Sequence, residues 1–215
     1  MIELLPEVLR TPVAALLQPA LTLLGSPVTA LEVAAFAASL AMVAANMRVH
    51  PVAWPLAIAA SLAYALLFAD SRLYGEASLQ LFFVAVSLWG WQQWLRGRGR
   101  DGQPLHVHRL TTGQRLGVAA ATLAAWPLLG LLLARITDSD VPFFDALPTV
   151  GSIAGQLLLA RKVLENWAVW LAVNVVSVAL FAGKGLWLTA LLYALFAGLS
   201  VAGWRAWQRQ VGGAA

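Results

Sequence analysis

Amide, hydroxyl and indole side chains recur on single helix faces inside long apolar stretches of this 215-residue chain. Gln80, Ser87 and Trp91 follow one another at spacings of seven and four residues, which places them on one helical face. Trp170 and Asn174 are four residues apart and share a face in the same way. Neutral amides hydrogen-bond hydroxyl groups, while indole rings stack on aromatic rings and attract cations. These faces therefore favour binding of a polar aromatic ligand.

The other candidate residues are further amides, one more tryptophan and a tyrosine. An amide in hydrocarbon is costly without a partner, so these groups should point to a neighbouring helix or to a wet cavity. For single serines, bonding between helices is the favoured interpretation. For Gln80, Gln156 and Asn174 that interpretation and a ligand role remain balanced. The candidate substrate-binding residues are Asn46, Trp54, Gln80, Ser87, Trp91, Gln156, Trp170, Asn174 and Tyr193.

Six of the ten tryptophans form two groups that differ in their depth in the apolar windows. Trp94 and Trp207 each stand two residues before an arginine, which predicts anchoring at the membrane interface. The deeper group lies one to two turns further in, where an indole would suit a cavity wall. It comprises Trp54, Trp91, Trp170 and Trp204.

Several kinds of chemistry lack the residues that they need. The sequence has no GxxxxGK[ST] phosphate loop, and it has no cysteine for disulfides or thiolate metal sites. His106 and His108 have no third ligand nearby, so they are weak evidence for a metal. No ionisable residue lies in the middle of an apolar window, where proton relays and ion-coupled pumps generally place one. We expect no catalytic residues, no metal and no cofactor, and we infer uncoupled passage of a small ligand.

The elements that must position these residues are membrane helices. The chain is 60% hydrophobic and 11% charged, with mean hydropathy +0.76. Its basic residues lie beside apolar windows, where they set orientation, so the net charge of +4 does not indicate nucleic-acid binding. A membrane-crossing helix needs roughly 20 residues. The first of the seven predicted spans starts near Pro27 and ends before Arg48, and the others are 51–69, 77–95, 116–134, 144–160, 166–183 and 185–204 or slightly beyond.

Residues 4–24 are apolar but contain three prolines, and we interpret them as an interfacial helix or irregular lead-in rather than an eighth span. The first basic residue is Arg10, so no cleaved secretory signal is expected. The predicted organisation is a lead-in (1–26), a three-helix bundle (27–95), a cytoplasmic linker (96–115), a linking transmembrane helix (116–135) and a second three-helix bundle (142–209).

The distribution of basic residues predicts the orientation of the spans. Ten of the fourteen lie on one side, which should therefore be cytoplasmic, with the N-terminus outside and the C-terminus inside. Those ten are Arg48, Arg96, Arg98, Arg100, Arg109, Arg115, Arg161, Lys162, Arg205 and Arg209. The segment 96–115 supplies five of them, and we interpret it as an ordinary positive linker rather than a lipid-binding, regulator-binding or metal-binding segment.

An internal repeat relates the two halves. Residues 73–94 and 186–207 are identical at eight of 22 positions when aligned at an offset of 113, and both end in GWxxW. A looser match pairs 50–61 with 166–177 and aligns Trp54 with Trp170. With one helix between them, the halves are predicted to be parallel repeats. Transporters of this plan bind substrate near the midplane between the repeats.

These segments together resemble the PnuC-type vitamin transporters. The resemblance covers residues 28–209 and rests on LYGEASLQLFFVAVSLWGWQQW, LLARKVLENWAVW with NVVSV, and GLWLTALLYALFAGLSVAGWRAW. It implies an all-α membrane fold of seven helices in a 3+1+3 arrangement, related to the SWEET fold, with assembly as a homotrimer. The positions that match the family pattern are Gln80, Gly90, Trp91, Trp94, Asn166, Trp170 and Asn174.

The resemblance also implies a function. The expected activity is facilitated diffusion of nicotinamide riboside, drawn inward by cytoplasmic phosphorylation, in a bacterial inner membrane. Thiamine, riboflavin or a deoxynucleoside is the alternative cargo within the family. A membrane-embedded enzyme is disfavoured because no deep catalytic set is present. A purely structural subunit would not need polar faces in both halves.

Overall fold

Seven α-helices make up most of the described chain. The computed structural model describes residues 15–23, 26–70, 74–99, 102–137, 141–183 and 187–212. Its helices are α1 (Ala30–Met47), α2 (Ala53–Asp70), α3 (Tyr74–Arg96), α4 (Thr112–Ile136), α5 (Pro142–Ala160), α6 (Asn166–Gly183) and α7 (Trp187–Gly212). The predicted all-α fold of seven helices is confirmed.

Capping side chains define the starts of two helices. The Thr29 hydroxyl accepts a hydrogen bond from the Glu32 backbone N–H at 3.1 Å, so α1 begins at Ala30 rather than near Pro27. At α4, Thr111 and Gln114 form a reciprocal capping box: the Thr111 hydroxyl accepts from the Gln114 N–H, and the Gln114 side chain accepts from the Thr111 N–H. These caps satisfy backbone donors that a helix start leaves open.

Ala15 and Leu16, the first described residues, are helical, and a β-hairpin lies between them and α1. Strand β1 (Pro19–Leu23) pairs antiparallel with β2 (Ser26–Thr29). Residues 19–23 of the segment predicted as an interfacial helix or irregular lead-in are therefore a strand, and residues 4–14 and 24 lie outside the described ranges. Pro19 cannot continue a helix, whereas pairing between two short strands satisfies the backbone of this apolar stretch.

Among the described residues, five helices are long and apolar enough to cross a bilayer. They are α1, α2, α4, α5 and residues Ala190–Val211 of α7. In α6 the apolar stretch that the structure describes is shorter, Asn166–Leu180. The 23 residues of α3 would span about 34 Å, but this helix carries Gln80, Gln92 and Gln93. Length and composition therefore identify five spans among the described residues, and the count of seven spans stays a prediction.

The chain separates into two compact units, Met1–Gln92 and Gln93–Ala215. The first holds the hairpin, α1, α2 and most of α3. The second holds the end of α3 and the helices α4 to α7. In the first unit α1 packs against α2, and in the second α5 packs against α4 and α6, and α6 packs against α7.

The two units repeat the same local structure at a constant offset of 113 residues. Helices α2 and α6 begin and end 113 residues apart, as do the ends of α1 and α5 and the starts of α3 and α7. The turns after α1 and α5 also match: Val49 and Lys162 both have positive φ, 53° and 54°. Their flanking backbone bonds coincide, since His50 N–H donates to Ala45 O and Val163 N–H donates to Leu158 O, each at 3.0 Å. Both turns are therefore Schellman-type helix ends.

The constant offset corrects one predicted alignment. Trp54 corresponds to Trp167, not to Trp170, and the looser match at residues 50–61 is wrong by three positions. A Cβ added to Gly90 would lie 2.3 Å from the Trp54 ring, and one added to Gly203 would lie 2.5 Å from the Trp167 ring. Each unit thus packs a tryptophan against a glycine of its last helix. Trp170 stands outside this pairing.

A second correction concerns the predicted interface anchors. Trp94 and Trp207 are both buried, and Trp207 has no exposed surface at all. The Trp207 ring lies 6.1 Å from that of Trp94 and 5.7 Å, edge to face, from that of Trp167. The Trp94 indole N–H also donates to the Leu159 carbonyl at 3.1 Å. These rings hold helices together inside the second unit, so the prediction that they anchor the protein at the membrane interface is wrong.

The polar segment between α3 and α4 is folded against the turn that joins α5 to α6. His108 bridges Val163 in parallel, donating from its N–H to Lys162 O at 3.1 Å and accepting from Leu164 N–H at 2.9 Å. The Lys162 ammonium donates to Leu105 O at 2.8 Å and lies over the Trp94 ring. Burial lowers the pKa of Lys162. The predicted linker is thus packed against the α5–α6 turn. Residues 102–111 are called the clasp from here on.

The glycine that receives Trp167 should be intolerant of a methyl group. Gly203→Ala should lower the free energy of unfolding by about 1–3 kcal/mol, because the added Cβ overpacks the indole. Gly198→Ala, in the same helix with nothing within 4 Å, should be neutral or stabilising. Thermal unfolding of both variants in one detergent measures the difference. Equal midpoints would contradict the packing role, and Gly90→Ala repeats the test in the first unit.

Candidate functional site

In the first unit, the candidate residues differ sharply in exposure. Trp54 and Ser87 are each 1% exposed, and Asn46 is 4% exposed. Trp54 presses its ring against Gly90, which makes it a packing residue of this unit. Gln80 and Trp91 are only partly buried. They are therefore the candidates here that retain accessible surface for a ligand.

Asn46 ends α1 beside the Schellman-type turn. Its amide donates to the Met42 sulfur at 3.0 Å, a weak acceptor one turn earlier. Its backbone carbonyl accepts from the Val49 N–H at 3.0 Å. The residue therefore supports the end of α1 and the strained turn that follows it.

In the second unit, α5 and α6 approach closely through two glycines spaced by four residues. A Cβ on Gly151 would lie 2.5 Å from the Val173 side chain, and one on Gly155 would lie 3.1 Å from the Trp170 indole. Glycines at this spacing let helix backbones approach in membranes. Gln156 follows Gly155 in α5, so it lies on the helix against which Trp170 packs. Sequence reasoning missed Gly155, although the GxxxG spacing in α5 was a readable signal.

Asn174 lies one turn beyond Trp170 and bonds to the last helix. Its amide nitrogen donates to the Ser200 hydroxyl at 3.2 Å, and that hydroxyl donates to Phe196 O at 2.8 Å. Asn174 is 6% exposed and Ser200 is 4% exposed. Bonding between helices, which the sequence left balanced against a ligand role, is therefore present for this residue. The amide oxygen of Asn174 is not used in this bond.

The remaining members of the second unit are Trp170 and Tyr193, which are partly buried, and Gln156, which is 8% exposed. A Cβ on Gly155 would lie 3.1 Å from Cε2 and Nε1 and 3.4 Å from Cδ2 of Trp170, so Gly155 lies over the five-membered ring of the indole. Trp170 is nevertheless only partly buried and keeps accessible surface, which stacking on an aromatic ligand needs. It differs in this from Trp167, which is buried against Gly203 and Trp207.

The electrostatics of these residues are neutral. The candidates are amides, hydroxyls and aromatic rings, none of which carries charge at pH 7. Among the described residues, no group of three or more His, Cys, Asp or Glu could hold a metal ion. The two histidines of the clasp lie with ring centroids 6.2 Å apart, and their Nδ1 atoms face backbone carbonyls. The arrangement suits reversible binding of a neutral or cationic ring.

Comparison with known proteins identifies relatives over most of the chain. Residues 29–209 match the model of a family described as nicotinamide mononucleotide transporter. The chain is 27% identical to the nicotinamide riboside transporter PnuC of Escherichia coli (strain K12), over 67% of this chain and 70% of that protein. It is 32% identical to the riboflavin/roseoflavin transporter RibM of Streptomyces davaonensis, over 63% of this chain and 65% of that protein.

A solved structure shares the fold. The crystal structure of the vitamin B3 transporter PnuC superposes with a TM-score of 0.68 at 25% sequence identity. The match covers 85% of this chain and 81% of that one. The similarity therefore extends over nearly all the helices described above.

Proposed function

Since the chain belongs to the nicotinamide mononucleotide transporter family, we propose that it carries nicotinamide riboside across the membrane without energy coupling. The chain is a multi-pass membrane transporter of a vitamin-transporting family, not an enzyme. The absence of ionisable residues from the middle of the predicted spans carries the uncoupled part of the proposal. Net uptake would then need a cytoplasmic step that removes free riboside, such as phosphorylation.

The riboside is favoured over the mononucleotide by charge. A mononucleotide brings a phosphate, which proteins generally bind with arginine or lysine. The candidate residues are all neutral, and the basic residues lie outside the predicted spans. Nicotinamide riboside has a cationic ring and hydroxyl groups, which match indole faces and amides.

We assign ligand contact first to the candidates that are partly buried and keep accessible surface. In the first unit these are Gln80 and Trp91, with the buried Asn46 and Ser87 in support. In the second unit Trp170 supplies an indole ring and Tyr193 a phenol, with the buried amides of Gln156 and Asn174 in support. Trp54 becomes a supporting residue because its ring is covered by Gly90.

Riboflavin and thiamine are the competing cargoes. RibM, named as a riboflavin/roseoflavin transporter, is similar to this chain at 32% identity, a specific reason to test riboflavin. Thiamine is a cationic aromatic molecule with a hydroxyl-bearing arm, so it suits the same side chains. Both are decided by the binding experiment below.

The cargo is tested by stabilisation and by uptake. Nicotinamide riboside at 100 times its dissociation constant should add about 2.7 kcal/mol to the stability of the purified protein, visible as a rise in the unfolding temperature. Riboflavin, thiamine and nicotinamide mononucleotide should give smaller shifts at equal concentration. Vesicles containing the protein should equilibrate the riboside without ATP or an ion gradient. If none of these vitamins enters the protein-containing vesicles faster than it enters empty vesicles, the transporter mechanism is refuted.

The binding residues are tested with a matched tryptophan control. Trp170→Ala and Gln80→Ala should each weaken riboside binding by about tenfold, the equivalent of about 1.4 kcal/mol for a lost stacking or amide contact. Trp89, also in α3, is 38% exposed, and Trp89→Ala should leave affinity unchanged. Trp170→Phe should retain most of the binding, since a ring remains. Equal losses at Trp89 and Trp170 in titration calorimetry would remove Trp170 from the site.

We propose that the protein lies in the bacterial inner membrane with its N-terminus outside and its C-terminus in the cytoplasm. The bias of ten basic residues toward one side supports this orientation. The chain has no cysteine, so a single Gly212→Cys substitution provides a unique label site. A membrane-impermeant maleimide should label it only after cells are opened. Labelling of intact cells would show that the orientation is the opposite one.

We also propose that the protein is a homotrimer. The mass of the purified protein checks this oligomeric state.

A further inference from the structure

An apolar groove of about 500 Å³ lies in the second unit, lined by α4, α5 and α6. Two sets of contacts hold α4 against the rest of the second unit. In the C-terminal half of α4, the Trp126 indole N–H donates to Phe143 O at 2.6 Å and Gly130 contacts the Phe143 ring. Near the N-terminal end, Arg115 forms an ion pair with Glu165 at 2.8 Å. The small side chains of α4 between these contacts leave the groove open.

The interior of the groove is suited to hydrocarbon. Apart from Arg115, Glu165 and Thr122, the lining side chains are aliphatic or glycine and proline. The Thr122 hydroxyl already donates to Val118 O at 2.9 Å, so it offers the ligand little. Ala119 and Ala172 line the groove and are themselves exposed, which opens it sideways to the surroundings of the helices. In a membrane protein those surroundings are lipid chains.

The polar end of the groove carries an excess of positive charge. The Glu165 carboxylate is already occupied: one oxygen accepts from Arg115 and the other from the Leu110 N–H at 3.2 Å. Arg115 has a guanidinium with five N–H donors and a side chain that is 48% exposed, so donors remain for another anion. Arg109, beside the lining residue Leu110, is exposed as well. A phosphate would find charge-assisted hydrogen bonds here.

The length of the groove fits one leaflet. Its lining runs from Glu165, just before α6, to Val176 within α6, a rise of about 16 Å along a helix. A hydrocarbon core is about 30 Å thick, so a groove that starts at the polar boundary reaches close to the midplane.

We propose that this groove binds one anionic phospholipid of the leaflet at the Arg115 end. One acyl chain lies along α4 and α6, and the phosphate lies at Arg115 and Arg109. Basic sites between membrane helices commonly bind anionic headgroups in this way. This proposal concerns a different surface from the vitamin-binding residues and does not rest on the identity of the cargo.

The acyl-chain part is tested by filling the groove. The full-length protein is reconstituted in vesicles of equal parts palmitoyl-oleoyl phosphatidylglycerol and phosphatidylcholine, re-extracted in mild detergent, and the retained lipid is counted by mass spectrometry. Ala119→Phe and Ala172→Phe should lose the retained phosphatidylglycerol. Ala120→Phe, at an exposed alanine of α4 outside the lining, should keep it. The unfolding temperature shows whether each variant is folded. Because there are two independent variants, the test remains valid if one of them fails to fold.

The headgroup part is tested by removing charge. Arg109→Gln should lower the preference for phosphatidylglycerol over phosphatidylcholine by about fivefold, since one basic residue near a membrane surface contributes about 1 kcal/mol. The double variant R115Q/E165Q neutralises both partners of the ion pair, and it should lower the preference for phosphatidylglycerol further. Arg98→Gln, in an exposed turn whose guanidinium bonds Gly102 O, is the control.

Three outcomes would overturn the proposal. Equal lipid retention by all variants would show that the groove is not the site. Loss of lipid from the Ala120→Phe and Arg98→Gln controls would show a general membrane effect. A change of oligomeric mass in Ala119→Phe, with lipid retention intact, would assign the groove to a second copy of this chain. Because no vitamin is added, a wrong cargo would leave each of these results unaltered.

Discussion

Close approach of tryptophan rings to glycine backbones is the packing constraint on which the described helices depend. In a bilayer, lipid chains are as apolar as leucine, so burial of leucine does not draw helices together. Dispersion contacts must do so, and they grow when a large flat ring meets a residue with no side chain. Trp54 on Gly90 and Trp167 on Gly203 supply this contact once in each unit. The buried rings of Trp94 and Trp207 extend it within the second unit.

This constraint also separates structural from ligand-facing tryptophans. A fully buried indole has no surface on which a vitamin could stack, and Trp54 is such a packing residue. Trp170 also lies over a glycine, Gly155, but it is only partly buried and is not part of the repeated pairing. At its repeat-equivalent position the first unit has Ala57. The two units therefore share a packing scheme but differ at this position.

The sequence predicted the helices well because membrane spans are coded by long charge-free windows, a strong signal. It predicted α6 to the residue and the repeat between α3 and α7 from GWxxW. It failed where one residue type has two roles. Trp54 aligns with Trp170 by residue type because both are tryptophans near a span start, and a three-residue offset keeps nearly the same helix face, so the periodicity of the apolar residues could not reveal the error. Trp94 and Trp207 were assigned to the interface from nearby arginines, although burial depends on the partner helix, which no single segment encodes. For the candidate site, hydropathy and spacing selected polar faces but could not tell that Asn174 already bonds Ser200.

At the offset of 113 residues, the clasp has no counterpart among the described residues of the first unit. Helices α1 and α5 end in the same turn, with Val49 and Lys162 in the left-handed region. That conformation is costly for a residue with a side chain, most of all for a β-branched valine, and it persists only where neighbours determine it. In the second unit the clasp supplies such neighbours through His108, which bonds Lys162 and Leu164, and through Leu105, whose carbonyl accepts from Lys162. In the first unit Val52 N–H donates to the His50 ring instead, at 3.2 Å. The α5–α6 turn is thus supported by a whole segment and the α1–α2 turn by its own residues, so we expect the first unit's turn to be the more readily deformed of the two.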